Sequence, residues 1–149
     1  MRKLILAAVA VMMTACGGSG DTSGGNGDTS VFALEVGDCF DDPAATDEIS
    51  TIEVIDCEEP HDNEVSDLPQ YPAGEDEPYP GDSVIDDWAS ETCLASFEAY
   101  VGLPYNDSVL VVGTISPRAG TWTNGDREIV CIVYEPDVKL TDVARNSRR

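Results

Sequence analysis

Between Lys3 and Arg118 the 149-residue sequence has no lysine or arginine at all. That gap excludes a nucleic-acid surface over most of the chain, because such binding rests on Lys and Arg neutralising phosphates. Histidine occurs once, as His61, and no Cys-x2-Cys pair is present. Cys57-x3-His61 is at most half of a zinc site, so no metal and no cofactor are expected. A Gly-x-Ser-x-Gly elbow is missing, which removes the strained nucleophilic serine of one hydrolase class. EF-hand and phosphate-cradling glycine patterns are missing too. No apolar run approaches the roughly 20 residues of a spanning helix; Leu4 to Met13 has ten.

That short run carries the most information. Arg2 and Lys3 precede it, and Met13-Thr14-Ala15-Cys16 follows, resembling a bacterial lipobox with Met in place of the usual Leu. A basic start, a short apolar stretch and a small residue before Cys read as an export signal that is removed. Cys16 would then become the first residue, carry a thioether-linked diacylglycerol and partner the cytoplasmic membrane from outside. The alternative is an ordinary secretory signal that leaves Cys16 as a spare thiol. Cysteine arithmetic favours lipid: five cysteines are odd, and setting Cys16 aside leaves an even set for an oxidising compartment. Two acyl chains make a stable anchor where one is marginal. Residues 17–30 contain only Gly, Ser, Thr, Asp and Asn, with six glycines in fourteen. Such a segment is expected to be a flexible coil spanning roughly 20 Å. The expected organisation is therefore signal 1–15, lipidated Cys and linker 16–30, and one extracytoplasmic domain 31–149.

The formal net charge is −21; without Arg2 and Lys3, six basic residues face 29 acidic ones, giving −23. All six lie between Arg118 and Arg149. Such a surface repels anionic headgroups and wall polymers and favours solubility. Its sharper alternative is an acidic face, Glu35 to Glu98, that attracts cations or a basic partner.

Periodicity indicates an α+β fold, with a small antiparallel sheet packed on one main helix. Residues 31–36 alternate and predict a strand before the Gly37-Asp38 turn. Residues 50–57 are rich in β-branched side chains, with Ile52 and Val54 on one parity. Glu64 to Leu68 predicts a short strand, and four prolines among acids at 69–81 predict an irregular exposed loop. The spacing of Ile85, Trp88, Ala89, Cys93, Phe97 and Tyr100 predicts a helix over 83–101, capped by Asp82 or Ser83 and stopped by Gly102 and Pro104. Residues 109–115 and 128–134 predict strands, the second apolar on both parities and so covered on both faces. Asn124-Gly125 predicts a two-residue hairpin between Trp122 and Arg127. Four cysteines allow three pairings. Cys39–Cys57 and Cys93–Cys131 are favoured, one tying the opening turn to a strand and the other joining helix to central strand. Loop closure assigns them about 3 and 4 kcal/mol.

The order Leu34-Glu35-Val36-Gly37-Asp38-Cys39-Phe40, then Cys57-Glu58-Glu59-Pro60-His61-Asp62, then Trp122 with Gly125-Asp126-Arg127 and Cys131, resembles the septum formation domain of actinobacterial envelope proteins. The resemblance implies an anchored extracytoplasmic domain linked to division septa, and it transfers no catalytic activity. The basic end 145–149 departs from it. His61, beside Asp62 and near Glu64, is the candidate ligand or pH switch; its plainer role is to order a turn through a backbone carbonyl. Arg127 with Trp122 and Asp126 is the candidate anion site, or else a hairpin whose arginine pairs with a neighbouring acid. The expected function is non-enzymatic, binding an envelope or division protein. Alternatives are an envelope hydrolase or transferase using His61 with an acid, and a cation-binding module.

Overall fold

A computed structural model describes residues 27–43 and 49–149. Among these residues six strands form one antiparallel sheet: β1 (Gly27–Ser30), β2 (Cys39–Phe40), β3 (Thr51–Ile55), β4 (Asn63–Asp67), β5 (Val111–Ile115) and β6 (Val130–Tyr134), in the spatial order β1-β3-β2-β4-β6-β5. One long helix, α1 (Asp82–Val101), packs on it, and a single turn, α2 (Ala119–Trp122), precedes β6. The α+β architecture and both favoured disulfides, Cys39–Cys57 and Cys93–Cys131, are present.

Helix α1 buries Ile85, Ala89, Cys93, Phe97, Tyr100 and Val101. Gly102 ends it in a left-handed conformation (φ 79°), its N–H donating to Glu98 O at 2.9 Å. That conformation is open to glycine without steric cost. The expected side-chain cap is absent, because Gly81 occupies the N-cap and Asp82 is already helical. Strand β6 is covered on both faces. Val130 joins Val31, Leu34, Phe40, Ile52, Val54 and Val65 on one side. Cys131 and Val133 join the helix-side clusters around Trp122 and Phe97.

Three local expectations fail. Residues 31–36 are not a strand: Val31–Ala33 form a 3₁₀ turn, whose first N–H groups include Phe32 N donating to Ser30 Oγ. The strand lies just before, in Gly27–Ser30, which composition assigns to the flexible linker. These residues pair with Thr51–Val54 in an antiparallel backbone ladder, which a Gly-Asp-Thr-Ser composition does not signal. Asn124-Gly125 does not make a two-residue hairpin. Gly125 takes the left-handed turn (φ 89°), but the chain enters it from α2, and β5 pairs with β6 across the whole 116–129 connection. The signal segment, Cys16 and most of the linker lie outside the described residues. Among the described residues no helix is long and apolar enough to cross a membrane.

Candidate functional site

The Gly37-Asp38 turn sets the geometry around Cys39. Gly37 has φ 104°, Gly37 N donates to Val65 O at 2.8 Å, and Val65 N donates to Asp38 O at 2.8 Å. Cys39 therefore sits opposite Glu64 across the β2–β4 pair. Strand β4 has the polar sequence Asn-Glu-Val-Ser-Asp, yet its first four residues are buried. Glu64 is wholly inaccessible. A buried carboxylate has to be hydrogen-bonded, and this one is: Oε1 accepts from Tyr100 Oη at 2.5 Å and Arg145 N at 3.3 Å, and Oε2 accepts from Ala144 N at 2.5 Å. Burial, reinforced by the Glu64 hydrogen bond and charge, raises the Tyr100 phenol well above its ordinary pKa and keeps it a donor.

Glu64 thus fastens the C-terminal tail to the helix. Asn146 N donates to Tyr100 O, Arg148 N to Val101 O, and the Arg145 guanidinium lies 5.1 Å from the Tyr100 ring centroid. Arg149 pairs with Glu135 at 2.7 Å. The basic end is a docked strap on an acidic body.

His61 is buried beside this hub. Its backbone pairs with Leu140 in both directions, at 3.0 and 2.8 Å. The ring Nδ1 lies 2.8 Å from Glu59 O. A carbonyl only accepts, so Nδ1 is the donor, and in the neutral imidazole Nε2 is then the lone-pair nitrogen. Nε2 is buried and has no partner among the described residues. Asp62 is turned elsewhere: its carboxylate accepts from Asp42 N at 3.0 Å and pairs with Lys139 at 3.0 Å. Partial burial pulls the Asp62 pKa up, but the Asp42 N–H and the Lys139 ammonium outweigh it and hold the group below its ordinary value.

The other candidates, Trp122, Asp126 and Arg127, form a separate clamp. Arg127 is buried with its guanidinium 3.5 Å from the Trp122 ring centroid. Its Nη1 donates to Trp122 O and Asp126 O, and its Nη2 to Gly74 O and Glu75 O. Trp122 Nε1 donates to Glu77 O at 2.8 Å, and Tyr71 and Tyr79 meet the indole edge-on. The expected pairing of Arg127 with an acid is replaced by bonds to carbonyls, which hold the proline-rich acidic loop to the core. That loop is irregular, as expected, but Tyr71 and Tyr79 are half-buried rather than exposed. Asp126 Oδ1 accepts from Glu128 N at 3.1 Å, and Asp126 also lines a cavity of about 140 Å³ with Thr114, Ser116 and Arg118.

In the sequence Glu64 stands out only as an acid near His61. Nothing in the sequence links it to Tyr100, Ala144 or Arg145, which lie 36 to 81 positions away. A family model described as septum formation matches residues 36–148, a span that holds the turn, the four disulfide cysteines, His61 and Arg127. The chain belongs to the septum formation family. The match runs through Arg148, so it takes in the docked tail that the sequence set apart. No curated protein and no solved structure matches the chain. Membership links it to septum formation.

Proposed function

We propose that this septum formation domain is a lipid-anchored module on the outer face of the cytoplasmic membrane that acts by binding an envelope or division protein, without turnover. One observation carries the reading: the two side chains best suited to chemistry, His61 and Arg127, are buried and tied to backbone carbonyls. A general acid or base has to reach its substrate within hydrogen-bond distance, and both side chains face the protein interior. What remains accessible is a strongly acidic surface, which favours a partner with a basic patch through steering and charge complementarity. The proposed anchor is Cys16 with its diacylglycerol, and two disulfides suit the oxidising side of the membrane.

Imaging of the tagged full-length chain in dividing cells tests this reading. Enrichment at septa, retention in the membrane fraction and loss of both in Cys16→Ser are expected. Uniform cytosolic signal would contradict it. A turnover activity abolished by His61→Ala in a still-folded protein would replace binding with catalysis.

A further inference from the structure

Cys39 Sγ, an imidazole nitrogen of His61 and a Glu64 carboxylate oxygen lie within 4.8 Å of one another, all fully buried. We propose that reduction of the Cys39–Cys57 disulfide converts this corner into a zinc site held by Cys39 Sγ, His61 Nε2 and Glu64 Oε2. Nε2 is the donor because Nδ1 already gives its proton to Glu59 O. A backbone carbonyl on one imidazole nitrogen is the device that orients metal-binding histidines and fixes their tautomer. Without an ion, Nε2 is buried and has no partner among the described residues, an arrangement that costs about 1–3 kcal/mol.

Glu64 is prepared in the same way. Tyr100 and Arg145 hold Oε1, while Oε2 accepts from Ala144 N alone among the described residues and lies 3.8 Å from Cys39 Sγ. Donor atoms around tetrahedral zinc sit about 3.3–3.8 Å apart, given bonds of about 2.0–2.3 Å. A shift of about 1 Å therefore closes the set. Thiolate with imidazole and carboxylate selects zinc over calcium or magnesium.

The chemistry balances with an external dithiol. Its thiolate attacks Sγ of Cys57, the less buried cysteine, and Cys39 leaves as thiolate. The dithiol's second sulfur then displaces Cys57, yielding an oxidised dithiol and two protein thiols. Zinc displaces protons from the thiols on binding, and Cys57 Sγ, released from the same disulfide, would supply the fourth donor. A cleft lined by Glu35, Asp38, Glu58 and Arg145 opens over Cys39, Cys57 and Glu64, giving reductant and cation a route. The corner is then cross-linked in either redox state, by a covalent bond or by an ion.

The test is zinc binding to the purified full-length chain, oxidised and then reduced with a phosphine, read by chelator competition and by far-UV circular dichroism. One zinc per reduced chain is expected and none per oxidised chain, with cobalt giving tetrahedral ligand-field bands. Losing a ligand should weaken binding at least as much as losing an orienting partner, about 10–100-fold, so His61→Ala and Glu64→Gln should each do so. The double variant Cys93→Ser/Cys131→Ser should keep the site. Equal binding by His61→Ala, binding that depends on Cys93 and Cys131, no binding, or a reduced chain that stays unfolded with zinc present would each overturn the proposal.

Discussion

Glu64 shows how one side chain can organise a surface it never reaches. Its carboxylate is the shared acceptor for the helix, through Tyr100, and for the tail, through Ala144 and Arg145. Glu64→Ala strands three buried or half-buried donors, so a loss of about 3–5 kcal/mol is expected in urea unfolding. The same variant should free the tail to tryptic cleavage after Arg145. Tyr100→Phe removes one bond to a charged acceptor and should cost about 1.5–3 kcal/mol. Arg127→Lys keeps the charge but loses the planar fork over Trp122 and most of its four carbonyl contacts. It should cost about 2–3 kcal/mol and open the loop around Glu75 to a glutamate-specific protease. Asp62 supplies a pH signature. Its folded pKa is depressed, so its contribution is present above the unfolded value and fades as pH falls through the folded one. Lys139→Ala should raise the Asp62 titration midpoint measured by NMR; an unchanged midpoint would remove Lys139 as a cause. These residues were visible in the sequence as types, but their roles were not. Arg127 among so many acids suggested an ion pair, and only the path of the 69–81 loop brings carbonyls to it instead.

Among the elements, apolar periodicity was a good guide where a face is buried and a poor one where backbone or polar groups do the pairing. The α1 stripe and the two-sided β6 run were legible because their burial is written in side chains. Cys93 and Cys131 lie on those two elements, so their pairing followed from the helix face meeting the strand. Strand β4 was legible only in outline, since Asn63, Glu64 and Ser66 are buried by partners distant in sequence. Strand β1 was illegible, because a Gly-Asp-Thr-Ser segment reads as linker whether or not it pairs. Gly113 on β5 gives no sequence signal of its close packing either. A Cβ there would lie 2.9 Å from Ile132 Cγ1 and 3.3 Å from Tyr134 Cε1. Gly113→Ala should therefore destabilise by about 1–3 kcal/mol through overpacking against β6, as read by thermal unfolding.

Taken as one body, the domain is a strongly anionic shell on a small, twice-cross-linked core, with three of its six cations, Arg145, Arg148 and Arg149, in the C-terminal strap. Self-repulsion of that kind is screened by salt, the Debye length falling from about 30 Å at 0.01 M to about 3 Å at 1 M. The melting temperature should therefore rise over that range, whereas a fall would mean that ion pairs such as Arg149–Glu135 outweigh the repulsion. The proposed location outside the cytoplasm suits both disulfides and reserves the fifth cysteine for lipid. Intact mass spectrometry of the protein from its native membrane examines that assignment in a single spectrum. A chain beginning at diacylglyceryl-modified Cys16, with Cys39, Cys57, Cys93 and Cys131 all oxidised, is the expected species. A product that retains Met1, or that carries an unmodified Cys16, would contradict the anchored reading.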